Sequence, residues 1–206
     1  MIRVPWVIGV SGASGTLYTK SVLNALLDAG EPVDLVVSRA ARLTLVDELG
    51  LTFRDAHWRD DLTAWLGREV GDVVHWTPGD LGAGPASGSY PTQGMVVVPA
   101  STAAVAGIAL GLSKDLLQRA ADVTLKERRR LVVVPRETPY TRSTLKHMLA
   151  LDEAGAVVLP ANPGFYAGLD SVQQLVDFVA AKILDVLGVK HDLSTRWTGE
   201  LGAGRA

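Results

Sequence analysis

Several short blocks of this chain are apolar at almost every position and stop at a turn-forming residue. They are Val4–Val10, Pro32–Ser38 (PVDLVVS), Gly94–Pro99 (GMVVVP), Leu131–Pro135 (LVVVP) and Ala156–Pro160 (AVVLP). A strand with no polar face has no side turned to water, which is the pattern of a parallel sheet covered by helices on both faces. Between the blocks, apolar residues recur at helical spacing. Thr16–Ala29 carries Leu17, Val22, Leu23, Leu26 and Leu27, with Gly30 as a stop. Helices are also predicted over Arg39–Leu49 (closed by Gly50), around Leu62–Leu66, and over Ser101–Leu112, Lys114–Glu127, Leu145–Ala154 and Ser171–Leu187 (closed by Gly188). Val73–Trp76 reads as a short strand, and Thr77–Tyr90, rich in Gly, Pro and Ser, as a loop. The alternation predicts one doubly wound α/β domain, a Rossmann-like or flavodoxin-like three-layer sandwich over residues 1–188. Residues 189–206 form a polar tail with Trp197 as its large anchor.

Composition narrows the chemistry. The chain has no cysteine, which removes disulfides, Cys-ligated metals and thiol catalysis. His57, His75, His147 and His191 have no metal-site spacing, so no metal is expected. Twenty basic residues against 22 acidic ones argue against a nucleic-acid binder. No run approaches ~18 apolar residues, so no membrane span is expected. Met1–Trp6 has no long apolar stretch with a small-residue cleavage site, and the expected compartment is the cytoplasm.

In doubly wound folds ligands bind beyond the carboxyl ends of the strands. After the first strand stands Ser11-Gly12-Ala13-Ser14-Gly15, whose glycines permit close backbone approach while the next helix offers a positive N-terminus to a phosphate. It lacks the strict G-x-G-x-x-G spacing, and a tight strand–helix turn needs glycine anyway. Ser38-Arg39 follows the second strand where an NAD site wants an acid. An NADP reading survives there, but no Tyr-x-x-x-Lys pair exists to act as a dehydrogenase base. Ser101-Thr102 open a helix, as N-caps or as a frame for free N–H groups. Arg119, Asp122 and Lys126 share one helix face, as a salt-bridge ladder or as half of an anion site. Arg136-Glu137 stand directly after the fifth strand, where a carboxylate is either a proton carrier or a partner in a loop-fixing ion pair.

These motifs come in a recognisable order: Gly12-Ala13-Ser14-Gly15, Ser38-Arg39-Ala40-Ala41, Pro85-Ala86-Ser87-Gly88-Ser89, Arg119-Ala-Ala-Asp122-Val-Thr-Leu-Lys126-Glu127-Arg128-Arg129, Pro135-Arg136-Glu137-Thr138-Pro139 and Pro163-Gly164-Phe165-Tyr166. Together they resemble the UbiX/Pad flavin prenyltransferases, within the homo-oligomeric flavin-containing decarboxylase-like superfamily, from about Val4 to Trp197. The resemblance implies a metal-independent transferase. It would join the dimethylallyl group of dimethylallyl monophosphate to N5 and C6 of reduced FMN and release phosphate. The product, prenyl-FMN, would serve a UbiD-type decarboxylase, a flavin reductase would supply reduced FMN, and the enzyme would be a dodecamer with active sites at subunit contacts.

Position by position, the resemblance implies flavin contacts from Gly12, Ala13, Ser14, Ser38, Ser87, Ser89, Ser101, Thr102, Ala103, Ala104 and Arg136. Tyr166 and Lys182 match positions that hold the allylic phosphate, with Arg119 and Lys126 near it. Glu137, helped by Ser14 and Glu48, is the implied proton carrier, and Lys126 is counted with the catalytic set. The chain departs from some members at Leu81 (Trp there), Thr144 (often His) and Lys182 (sometimes Arg). Lysine is a point charge in place of a bidentate fork, so a looser phosphate grip is expected. The rival readings are a flavin-dependent cysteine decarboxylase on the same fold and a non-catalytic FMN-binding module. The absence of cysteine weighs against the branch of that superfamily that uses an active-site Cys.

Overall fold

The computed structural model describes residues 2–165 and 171–194. Among the described residues six strands are interspersed with seven α-helices: β1 (Trp6–Val10), α1 (Thr16–Asp28), β2 (Val33–Val37), α2 (Arg39–Leu49), α3 (Trp58–Leu66), β3 (Val73–Trp76), β4 (Gly94–Ala100), α4 (Thr102–Ala109), α5 (Leu116–Lys126), β5 (Arg130–Pro135), α6 (Arg142–Glu153), β6 (Val157–Val158) and α7 (Val172–Leu187). The strands form one sheet in the order β3-β2-β1-β4-β5-β6, parallel throughout. This is the Rossmann order. It reverses between β1 and β4, and the crevice beyond their carboxyl ends is the topological switch point.

The apolar strands do what their pattern requires. Trp6, Ile8 and Val10 of β1 enter the core shared with α1, α2, α3 and α7, while Val7 enters the one shared with α4, α5 and α6. Gly9 belongs to the second face, where a Cβ would lie 2.9 Å from Met95 and 3.0 Å from Leu117, so its bareness lets α5 seat against the sheet. Each buried Val or Leu contributes roughly 2 kcal/mol of transfer free energy. Asp34 is the charged exception inside a strand. It is fully buried in β2 and accepts from Arg3 Nη1 at 2.5 Å, Trp76 Nε1 at 3.0 Å and the Tyr90 hydroxyl at 3.0 Å, so its burial is compensated.

The expected elements are all present, with differences at their ends. The helix expected near Leu62–Leu66 starts earlier, at Trp58, and α6 starts at Arg142 because the Thr141 side chain caps the Thr144 N–H. The strand expected over Ala156–Pro160 shrinks to two residues. It bends away while Leu159 and Ala161 still donate to Val133 and Pro135 of β5, at 2.8 and 3.2 Å. At α7, Ser171 accepts from Gln174 N at 3.2 Å and Gln174 reaches back to Ser171 N at 3.3 Å, a capping box. Ser171→Ala is expected to lower stability by about 1 kcal/mol, measured as the shift in a urea midpoint at unchanged m-value.

Candidate functional site

The turn after β1 sits at the switch point and is held from three sides. From below, Gly12 lies against the first turn of α2, where a Cβ would come within 2.3 Å of Ala40 Cβ and 3.0 Å of its carbonyl carbon. From the far end of α2, the Glu48 carboxylate accepts from Gly15 N at 2.8 Å, from Thr16 N at 2.9 Å and from the Thr16 hydroxyl at 2.6 Å. The Ser14 hydroxyl contributes to holding the charge of the same carboxylate. From β5, Arg136 Nε donates to the Ser14 carbonyl at 3.1 Å.

This arrangement corrects one expectation. The N-terminus of α1 was expected to be open to a phosphate, but its N-cap, Gly15, has no side chain and the Glu48 carboxylate takes that place. The positive end of α1 is therefore already matched by a protein anion. Burial pushes the Glu48 carboxyl up, but the Ser14 and Thr16 hydroxyls and the Thr16 and Gly15 amides outweigh it and hold it below the usual carboxylate range. Both oxygens of Glu48 are occupied as acceptors.

The open helix end is that of α4. Ser101 is its N-cap, and its hydroxyl accepts from Ala104 N at 3.2 Å. Among the described residues, the Thr102 and Ala103 N–H groups meet no acceptor; Ala103 is exposed and Thr102 half-buried. Ser38 likewise caps α2 by accepting from Ala41 N at 3.1 Å. The switch point thus gathers Gly12, Ala13, Ser14, Ser38, the start of α4 and Arg136. Glu137 stands at the rim, exposed, with Oε1 accepting from its neighbour Thr138 N at 3.0 Å. The expected alternative of an Arg136–Glu137 ion pair is not taken up, since Arg136 turns to Ser14.

A second group of expected residues lies elsewhere. Lys126 ends α5, four positions before the first residue of β5, and so belongs to the amino-terminal edge of the sheet. It pairs with Glu127, and both press on Gly88, whose Cβ would strike them. Arg129 fastens the same loop by donating to Gly88 O at 2.7 Å and Tyr90 O at 2.9 Å. Ser87 and Ser89 share a hydroxyl–hydroxyl hydrogen bond of 2.9 Å on its outer side. Arg119, nearer the start of α5, donates to Ala86 O at 3.1 Å and pairs with Asp122 at 2.8 Å. The expected helix face resolves into that one i,i+3 pair, with Lys126 engaged by Glu127 instead of Asp122. At roughly 3.3 Å per residue, the length of β1 alone separates Lys126 from the Ser14 turn by about 16 Å. One chain does not bring Lys126 to Ser14 and Arg136.

Lys182 lies mid-way along α7, half-exposed, 3.8 Å from Asp185 and 5.8 Å from the Phe178 ring centroid. Tyr166 and Trp197 lie outside the described residues. Leu81 is 55% exposed on its loop, whereas Thr144 is buried and bonded to Thr141 at 2.9 Å.

Several residues at the site carried no expectation. Ser11 and Thr16 are buried hydroxyls that bridge separate segments. Tyr18 lays its ring on Gly15, where a Cβ would be 2.8 Å away, and Tyr140 neighbours Glu137 and Arg136. Burial raises both phenols, Glu137 adds to the rise at Tyr140, and the Arg136 charge opposes it in each. The available signal was position alone, since all four flank the strand ends that carry the other site residues.

Residues 2–184 match the family model described as Flavoprotein. The chain is 64% identical to the flavin prenyltransferase UbiX of Streptomyces coelicolor, over 98% of this chain and 99% of that one. Among solved structures it superposes on AnUbiX in complex with FMN and dimethylallyl pyrophosphate with a TM-score of 0.85 at 34% identity, covering 97% of this chain and 100% of the other. It also superposes on a dodecameric FMN-dependent UbiX-like decarboxylase from Escherichia coli O157:H7, with a TM-score of 0.85 at 36% identity, covering 95% of this chain and 100% of that one.

Proposed function

The chain belongs to the flavoprotein family and, within it, to the UbiX flavin prenyltransferases, and from that premise we propose that it transfers the dimethylallyl group of dimethylallyl monophosphate to N5 and C6 of reduced FMN, releasing phosphate. The observation that carries the reading onto this molecule is the switch point itself. The Gly12–Ser14 turn, the open Thr102 and Ala103 N–H groups and the Arg136 side chain converge there without an acceptor of their own for those two amides. That donor set fits a flavin with its phosphate and ring carbonyls. Gly12, Ala13, Ser14, Ser38, Ser101, Thr102, Ala103, Ala104 and Arg136 would hold it. When bound, reduced FMN supplies the electron-rich nitrogen and carbon that receive the allyl group.

The protein's own part is leaving-group stabilisation, orientation and proton handling. The cations Lys126, Arg119 and Lys182, with the Tyr166 hydroxyl, stabilise negative charge on the departing phosphate. Glu137 at the rim takes the proton lost as the second bond closes. Arg136 fixes the backbone of Ser14, and Glu48 fixes Gly15 and Thr16. Lys126, Ser87 and Ser89 at the amino edge of the sheet enter a site formed with another copy of the chain. The exposed leucines 110 and 112, beyond α4, and 145 and 149, on α6, offer apolar surface for such assembly. A dodecamer, a cytoplasmic location, a UbiD-type decarboxylase as recipient and a flavin reductase as source of reduced FMN complete the proposal. Within the chain, residues 1–188 form the flavin-binding domain and 189–206 its tail.

Incubation with reduced FMN and dimethylallyl monophosphate is expected to yield a species of the prenyl-FMN mass. FMN-loaded, folded protein that makes none overturns the transferase reading. Decarboxylation of a C-terminal cysteinyl peptide instead would establish the rival enzyme, and tight FMN binding with no turnover of either kind the binding module.

A further inference from the structure

Ser11 occupies the one position between β1 and the Gly12–Gly15 turn and is 4% exposed. Its hydroxyl donates to the Pro99 carbonyl at 2.8 Å and accepts from Ser101 N at 2.7 Å. Its own N–H donates to the same Pro99 carbonyl at 3.2 Å. A hydroxyl has one proton to give, and here it is given. Ser11 therefore clasps the β4–α4 turn on both sides of Ala100, across the switch point.

The clasp bears on the open end of α4. Ser101 N is taken by Ser11, and Ser101 Oγ is taken by Ala104 N. The N–H and the hydroxyl of the N-cap residue are thereby fixed, and the adjoining Thr102 and Ala103 amides point where that residue makes them point. Without the Ser11 hydroxyl, Ser101 N loses its acceptor and Pro99 O keeps only the longer bond from the Ser11 N–H, and the cap is free to rotate toward another acceptor.

We propose that Ser11 is a positioning residue for the flavin site, setting the direction of the Thr102 and Ala103 N–H pair relative to the Gly12–Ser14 turn. The proposal rests on the reading of the switch point as the FMN site. Aligned amide dipoles at a helix N-terminus favour negative charge in their path. Their alignment therefore affects how tightly FMN is held and how readily it is reduced.

The test compares Ser11→Ala, Ser11→Thr and Thr124→Ala in the full chain. Thr124 is a control, a buried hydroxyl donating to Ala120 O at 2.7 Å within α5, on no element that contributes to the flavin set at the switch point. Ser11→Ala is expected to weaken FMN binding about tenfold, make the reduction potential of bound FMN more negative, and speed hydrogen exchange at Ser101 N while Val96 and Val97 stay protected. Ser11→Thr restores all three, and Thr124→Ala changes only thermal stability. Should the alanine variant not fold, Ser11→Cys, with a weakly hydrogen-bonding thiol, takes its place in the comparison. Wild-type affinity and potential in Ser11→Ala, or the same losses in Thr124→Ala, overturn the proposal alone. Absence of FMN binding by the unaltered protein overturns it together with the functional reading.

Discussion

Gly12→Ala is expected to leave a folded protein that no longer retains FMN through purification. The added Cβ would lie 2.3 Å from Ala40 Cβ and 3.0 Å from the Ala40 carbonyl carbon. Neither obstacle is the tip of a flexible side chain. Relief requires α2 to move out or the β1 turn to move up, and α2 is tied down elsewhere. Arg42 of α2 pairs with Asp55 at 2.5 Å, and Asp55 also bonds His75 of β3 at 2.8 Å. The turn is the softer of the two and takes the displacement. Overpacking of this kind costs about 1–3 kcal/mol. Because the strain falls on the turn that cradles the ligand, we expect roughly 10–100-fold weaker FMN binding and a smaller change in thermal stability. Equilibrium dialysis of apo-protein with FMN measures the first, and calorimetry the second. FMN affinity equal to that of the unaltered chain would show that the turn is not part of the flavin cradle.

Much of this site lay in plain view along the chain, and the reason is local. A block such as LVVVP states its own burial, and the residues that leave it must stand at the carboxyl edge, so Ser14, Ser38, Ser101 and Arg136 were all placed by strand ends alone. What was hidden is pairing over distance. Ser11 reaches residues 88 and 90 positions away, and Glu48 caps a helix that begins 32 positions earlier. Nothing in the local pattern of α2 distinguishes that carboxylate from a solvated one. Spacing also misled where a nearer partner was on offer. Asp122 and Lys126 stand one helical turn apart, yet Lys126 bonds the adjacent Glu127 as α5 ends and its side chains splay. The separation of Lys126 from Ser14 was legible only once strand direction was known, because a helix returning between parallel strands ends at the opposite edge from the site.

Glu48→Gln is the second substitution with a large expected effect, and its signature is in pH. The carboxylate accepts three hydrogen bonds through two oxygens, from Gly15 N, Thr16 N and the Thr16 hydroxyl. A glutamine offers one accepting oxygen. Its amide must face at least one N–H donor, so an acceptor site becomes a donor–donor clash. Charge-assisted bonds of this kind contribute about 1.5–3 kcal/mol each, and solvent access to the half-buried side chain reduces the net loss to about 1–2 kcal/mol. The carboxyl is held below its ordinary range in the folded chain. Its stabilisation is therefore fully present above the unfolded-state pKa and fades as pH falls through the lower folded value. The difference in melting temperature between the original chain and Glu48→Gln should be largest near pH 7 and shrink once the medium is more acidic than the ordinary carboxylate range. FMN affinity at pH 7 should fall roughly 30-fold, because the turn loses its anchor at Gly15 and Thr16 together. A proton-shuttling Glu48 predicts another pattern, in which turnover collapses while FMN affinity and melting temperature at pH 7 stay as they were. Measured together, those three quantities distinguish a carboxylate that holds the loop from one that moves a proton.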